Sequence, residues 1–309
     1  MIIDAHSHVF PEVRGAVAAG PTRGIGYGCV DAGGQTVRVL PPYNEQTVFT
    51  PDMLLANLDW AGADKAVLLQ GPFYGECNRY AHDALARHPD RLIGAAYFDP
   101  WSTNSPSHLS ALLDASLFKA VKLEFSEATG LSGLHPGARL DESGVAWLWL
   151  ELERRGLALV IDLGAVGSRS YQTGAVRAIA QQHPDLKIVV PHLGQPNPAV
   201  EADPERRQLW LEQIDLARLP NVWFDTAALP AYLPDEDYPF PSAERVIRLA
   251  VERVGAAKIL WGSDQPGLLA HASYPQLVAM AKRHLAFLSN EEQALVLGGN
   301  AALVYGIEI

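Results

Sequence analysis

Eight short runs rich in Val, Ile, Leu and aromatic residues recur along the chain, each bounded by turn residues and most followed by a stretch with apolar positions three and four residues apart. The runs cover residues 2–8, 65–70, 92–99, 118–125, 157–163, 187–193, 221–227 and 258–264. Most are continuously apolar rather than alternating, the pattern of strands in a parallel sheet covered on both faces. The helical stretches cover residues 52–63, 78–88, 107–116, 142–155, 175–183, 205–217, 243–254 and 274–288. Eight strand-then-helix units predict an α/β fold, a single (β/α)8 TIM barrel over residues 1–309. A doubly wound open sheet is the alternative, but the first run is not followed by a Gly-rich dinucleotide fingerprint.

Two segments stand outside the repeat. Residues 11–51 form a Gly- and Pro-rich insertion after the first run, read as a lid or binding loop with a small hairpin around residues 27–40. The terminal SNEEQALVLGGNAALVYGI opens with Ser289 and Glu292 in capping-box spacing and is expected to close one end of the barrel. With 24 Lys and Arg against 35 Asp and Glu, the formal charge is −11, which disfavours nucleic acid and anionic membranes as partners. Cys29 and Cys77 are too few for a disulfide framework, and no window is apolar enough to span a bilayer, so a cytoplasmic setting is expected.

Active sites of such barrels lie at the carboxyl ends of the strands, so polar residues there carry most weight. His6 and His8 end the first run at i, i+2 spacing, which puts both imidazoles on one face of an extended strand and suits a divalent metal. His192 closes the sixth run, Asp264 the eighth and Asp162 the fifth, while Lys122 and Glu124 end the fourth. Each shares parity with the position two residues before it, taken as inward. Burying this many ionisable groups on one rim requires mutual pairing or a metal.

Taken with IIDAHSHVF, NRYAHDALARHPDRLIGAAYFDP, NVWFDTAAL, ILWGSDQP and GGNAALVYGI, these residues make the chain resemble the amidohydrolase superfamily. The branch it resembles contains aminocarboxymuconate-semialdehyde decarboxylase, related aromatic-acid decarboxylases and dicarboxylate lactonases. The resemblance implies that His6 and His8 are metal ligands, that Asp264 is a ligand or proton acceptor, and that His192 orients water or polarises substrate. Metal-dependent members carry a histidine where this chain has Asp162. Three readings stay open: Asp162 coordinates, Glu124 coordinates, or the site works without metal as in the dicarboxylate lactonases.

The reading is a hydrolase using one divalent ion, zinc or manganese, to activate water against a small carboxylated acid, lactone, ester or amide. Asp264 takes the proton and His192 stabilises the oxyanion. The alternatives are decarboxylation, metal-independent lactone hydrolysis and an inactive binding protein. Lys122, Trp101, Arg23 and Tyr43 are candidate substrate contacts, with Arg38 beside them in the insertion. For Asp225, parity with Trp223 leaves both an inward position and a cap open. His82, His88, His183 and His284 read as surface or capping residues, with His135 and His271 in loops. A small-molecule substrate is the expected partner, and the resemblance adds a homodimer.

Overall fold

The computed structural model describes residues 1–114, 117–233 and 236–308. Strand β1 (Ile3–Ser7) is followed by β2 (Arg14–Val17), β3 (Gly20–Gly26), β4 (Cys29–Ala32) and β5 (Gln35–Arg38). Then come α1 (Pro51–Ala61), β6 (Lys65–Leu68), α2 (Asn78–Arg87), β7 (Leu92–Tyr97), α3 (Ser105–Leu113), β8 (Ala120–Glu124), α4 (Leu131–Leu134) and α5 (Ala146–Arg155). The middle continues with β9 (Ala158–Asp162), α6 (Thr173–Gln182), β10 (Ile188–Val190), α7 (Pro198–Ala202), α8 (Pro204–Ile214) and β11 (Val222–Asp225). The chain ends with α9 (Pro241–Val254), β12 (Ile259–Leu260), α10 (Tyr274–His284), α11 (Asn290–Ala294) and α12 (Asn300–Tyr305). Residues 115 and 116, the end of the expected third helix, lie outside the described residues.

Helix boundaries follow local chemistry. Thr50 caps α1 by accepting from Met53 N with Pro51 in the first turn, and Gly62 ends the helix in a left-handed conformation. Asp203 caps α8 in the same way, by accepting from Glu205 N and Arg206 N.

The expected barrel is present. Eight parallel strands run in the order β1-β6-β7-β8-β9-β10-β11-β12. Closure back to β1 is made by the segment after β12, through Ala5 N to Trp261 O at 3.0 Å, Asp264 N to His6 O at 2.8 Å and His8 N to Gln265 O at 2.8 Å. Ile3, Ala5, Val67, Leu69, Ile93, Val160 and Trp223 fill the interior, joined by Ala301, Val304 and Tyr305 of α12. The terminal segment therefore plugs the barrel end opposite the strand tips, and Ser289 with Glu292 forms the capping box at the start of α11.

The insertion is more ordered than one hairpin. β2, β3, β4 and β5 form an antiparallel meander, of which only β4–β5 falls within the expected turn region. β2 and β3 were hidden because their sequences, RGAV and GPTRGIG, are glycine-rich and largely solvent-facing, so they lack the apolar signal of a strand. The meander is docked rather than free: Arg14 N donates to Tyr74 O at 3.1 Å and Ala16 N to Pro72 O at 3.0 Å.

Two strands are shorter than the apolar runs. β10 stops at Val190 because Pro191 has no amide hydrogen for the ladder, and the chain turns through His192 and Leu193 at φ 61° and 47°. After β12 the chain leaves the ladder, and Asp264 also has φ 59°. His284, expected as a surface or capping residue, is instead 1% exposed, with its Nε2 2.7 Å from Pro239 O. No helix among the described residues is long and apolar enough to cross a membrane.

Candidate active site

A cavity of about 260 Å3 opens at the carboxyl ends of the barrel strands and is lined by His6, His8, Lys122, Glu124, Asp162, His192 and Asp264. Tyr74, Thr129, Gln195 and Tyr232 complete its polar wall. A larger groove of about 550 Å3, with Arg79, His82, His108 and Phe118 in its lining, lies between α2 and α3 and lacks such a convergence of buried ionisable groups.

His6 reaches the cavity through a bulge. Ile3 and Ala5 face the barrel interior, so strict alternation would turn His6 outward, as it does Asp4. The pairing of β1 with β6 slips between Asp4 and Ser7, inserting a residue that brings His6 and His8 onto the inner face. Gly262 makes room, since a Cβ there would sit 2.7 Å from His6 Cβ. Asp4, facing the helix layer, accepts from Ser263 N, Ser263 Oγ, Gln265 Nε2, Tyr274 Oη and His6 N. That one buried carboxylate holds the segment carrying Asp264 against the strand carrying the histidines.

Each imidazole is oriented through Nδ1. His6 Nδ1 lies 2.8 Å from Asp225 Oδ2, His8 Nδ1 lies 2.9 Å from Leu69 O, and His192 Nδ1 lies 3.1 Å from Ala227 O. Carboxylates and carbonyls only accept, so Nδ1 carries the hydrogen in each ring and Nε2 faces the cavity. Asp225 therefore occupies the inward position, and its Oδ1 also accepts from His192 N at 2.8 Å.

Asp264 Oδ1 stands 3.0 Å from His8 Nε2 and 3.5 Å from His6 Nε2. Burial, with Lys122 and His192 nearby, pulls the His6 imidazole well below the ordinary histidine range. Its Nε2 lone pair is buried and has no hydrogen-bond partner. A bare nitrogen facing a carboxylate oxygen is an arrangement that calls for a cation between them. The spacings suit one, because ligands of a tetrahedral zinc at about 2.0 Å lie about 3.3 Å apart. His6, His8 and Asp264 form one group able to hold a metal, and His6, His192 and Asp225 another.

The remaining charges are paired. Burial raises the Asp264 carboxyl, but His8, His6 and His192 outweigh it and hold the group at about 2. Burial lowers the His192 imidazole, but Asp162, Asp225 and Asp264 lift it to about 9. Its Nε2 lies 3.3 Å from Asp162 Oδ2, and Gln195 Nε2 donates to Asp162 Oδ1 at 3.1 Å. Lys122 Nζ lies 3.3 Å from Glu124 Oε2. Burial opposes the Lys122 charge, yet Glu124, Asp162 and Asp264 keep its pKa above the ordinary lysine value.

The structure thus gathers His6, His8, Lys122, Glu124, Asp162, His192 and Asp264 around one cavity, with Glu124 and Asp162 outside both metal-holding groups. Three expected substrate contacts are elsewhere. Trp101 stacks on Phe125 at 5.3 Å and donates Nε1–H to Glu142. Arg23 lines a separate groove on the meander, and Tyr43 is 82% exposed. Arg38 donates to Tyr27 O at 2.8 Å. Asp225, Tyr74, Gln195 and Tyr232 were not among the expected site residues; only Asp225 carried a signal, its parity with the inward Trp223.

A family model for amidohydrolases matches residues 3–307. The L-fucono-1,5-lactonase of Burkholderia ambifaria is 25% identical over 272 residues, covering 84% of this chain and 86% of that protein. An amidohydrolase from Burkholderia multivorans, crystallised with bound zinc, shares 19% identity at a TM-score of 0.73 and covers 100% of both chains. The probable 2-pyrone-4,6-dicarboxylic acid hydrolase of Acinetobacter baumannii, crystallised with citric acid, shares 20% identity at a TM-score of 0.69 over 99% of each chain. These structural likenesses concern the fold. The family match spans the barrel from β1 to the residues after α12, and on that ground the chain belongs to the amidohydrolase family.

Proposed function

We propose that the protein hydrolyses a small lactone, with one divalent ion, zinc in the first instance, held by His6, His8 and Asp264. The observation that carries this reading is the bare His6 Nε2 facing Asp264 Oδ1, with His8 Nε2 on the same oxygen. The lactonase from B. ambifaria and the zinc bound to the B. multivorans amidohydrolase support the choice of reaction and metal. Bound there, the ion would supply a Lewis acid for the ester carbonyl and make water acidic enough to attack near neutral pH.

The chain's own groups supply the rest. Asp264 stays ionised and accepts the proton of the attacking water. His192, held as an imidazolium between Ala227 O and Asp162, places its positive charge beside the charge that develops on the ester oxygen. Lys122 is paired with Glu124 and no arginine among the described residues lines the cavity, so its fixed cations are already matched. That balance favours an uncharged ring ester over the carboxylated substrate expected from sequence.

The test is elemental analysis of purified protein with turnover of a lactone panel and of aromatic carboxylic acids, before and after chelation. About one equivalent of metal with chelator-sensitive lactone hydrolysis is expected. Chelator-resistant hydrolysis would overturn the metal role, and carbon dioxide release from aromatic acids without lactone hydrolysis would overturn the reaction class.

A further inference from the structure

Two phenol rings bracket the imidazoles of the site. Tyr74, in the loop between β6 and α2, lies 5.1 Å from His8, and His8 lies 5.1 Å from His6, centroid to centroid. His6 is 4.8 Å from His192, which is 5.7 Å from Tyr232 in the turn after β11. The five rings form a chain along the cavity wall with a tyrosine at each end.

Both phenols are fixed in place. Tyr74 stacks on Phe10 at 4.5 Å with an interplanar angle of 13°. Its loop is clamped by the meander, where Thr22 Oγ1 donates to Phe73 O at 2.6 Å beside the Arg14 and Ala16 bonds. Tyr232 ends a turn that starts from Ala228 at φ 57°. The hydroxyls of Tyr171 and Tyr274 bond to Gly194 O and Asp4. Those of Tyr74 and Tyr232 have no such partner among the described residues, although both residues line the cavity.

We propose that Tyr74 and Tyr232 recognise hydroxyl groups on the substrate, so that the site selects a polyhydroxylated lactone over the bare ring ester. A phenol both donates and accepts, as a substrate hydroxyl does, and a fixed phenol left without its hydroxyl partner disfavours the deoxy competitor. The inference rests on the lactonase reading and narrows its substrate class.

The test measures kcat and KM of wild type, Tyr74→Phe and Tyr232→Phe on 1,5-lactones of aldonic acids and on δ-valerolactone, the same ring without hydroxyls. Each variant is expected to reduce the preference for the hydroxylated ring by about 10-fold, chiefly through KM, the loss of roughly one net hydrogen bond. An unchanged preference in both variants overturns the proposal, as does an equal loss on the two substrates, which would place the hydroxyls in the chemistry instead. Calorimetric titration with the matching aldonate reads the same contact without turnover. Binding weakened by about 10-fold supports it and unaltered binding overturns it. Wild-type protein that hydrolyses neither ring would sink the lactonase reading, while the titration still decides hydroxyl recognition.

Discussion

Asp264 enters the cavity from a left-handed residue, φ 59°, and places one carboxylate oxygen against two imidazole nitrogens. Replacing it by Asn keeps the volume and removes both the proposed proton acceptor and a proposed anionic ligand. Turnover is expected to fall about 10²- to 10⁴-fold with the melting temperature close to wild type; near-normal kcat would remove Asp264 from the chemistry. Asp225→Asn leaves the proposed ligands in place but weakens the acceptor that fixes His6 Nδ1. Metal affinity is expected to drop about 10- to 100-fold, read by competition with a chromogenic chelator. The His-x-His pair and Asp264 were legible because strand ends are where such barrels work. The pairing of Asp225 with His6, 219 positions away, was not, because nothing local couples the two.

At the scale of elements, β1 and the segment after β12 act as a unit tied by Asp4. Burial pushes the Asp4 carboxyl up while the bonds from Ser263, His6 and Tyr274 pull it down. Asp4→Ala would leave those buried donors unmatched and is expected to cost about 3 kcal/mol in denaturant unfolding, although Asp4 does not line the cavity. The meander sets the neighbouring wall. A Cβ at Gly15 would lie 1.9 Å from Pro72 O, so Gly15→Ala must separate β2 from the loop bearing Tyr74. The expected result is a loss of about 10- to 100-fold in kcat/KM, with the barrel still melting cooperatively. Unaltered kinetics would show that the meander plays no part in placing Tyr74. The apolar runs located the barrel strands but overran β10 and β12. Hydrophobicity reports burial, and the segments through His192 and Asp264 are buried without being in the ladder.

The whole molecule is a barrel open at one end and plugged at the other. Ala301, Val304 and Tyr305 share the interior with residues from the strands. At about 1.5–3 kcal/mol for each large side chain buried, removing residues 300–309 would erase much of a typical stability of about 5–15 kcal/mol. Truncated protein is expected to be insoluble or to lose its near-ultraviolet dichroism; a cooperative melt at the wild-type temperature would show that the strands close without the plug. The sequence alone determined the number and order of strand–helix units, the terminal plug and the residues of the strand tips. Apolar periodicity, caps and Gly or Pro breaks act within a few residues and survive in one dimension. Tertiary structure decided the rest. It turned His6 inward through a bulge, matched Asp225 to His6, Asp162 to His192 and Asp264 to His8, and set Trp101, Arg23 and Tyr43 away from the cavity. Those pairings depend on the register in which eight strands close on themselves, and only the closed barrel specifies it.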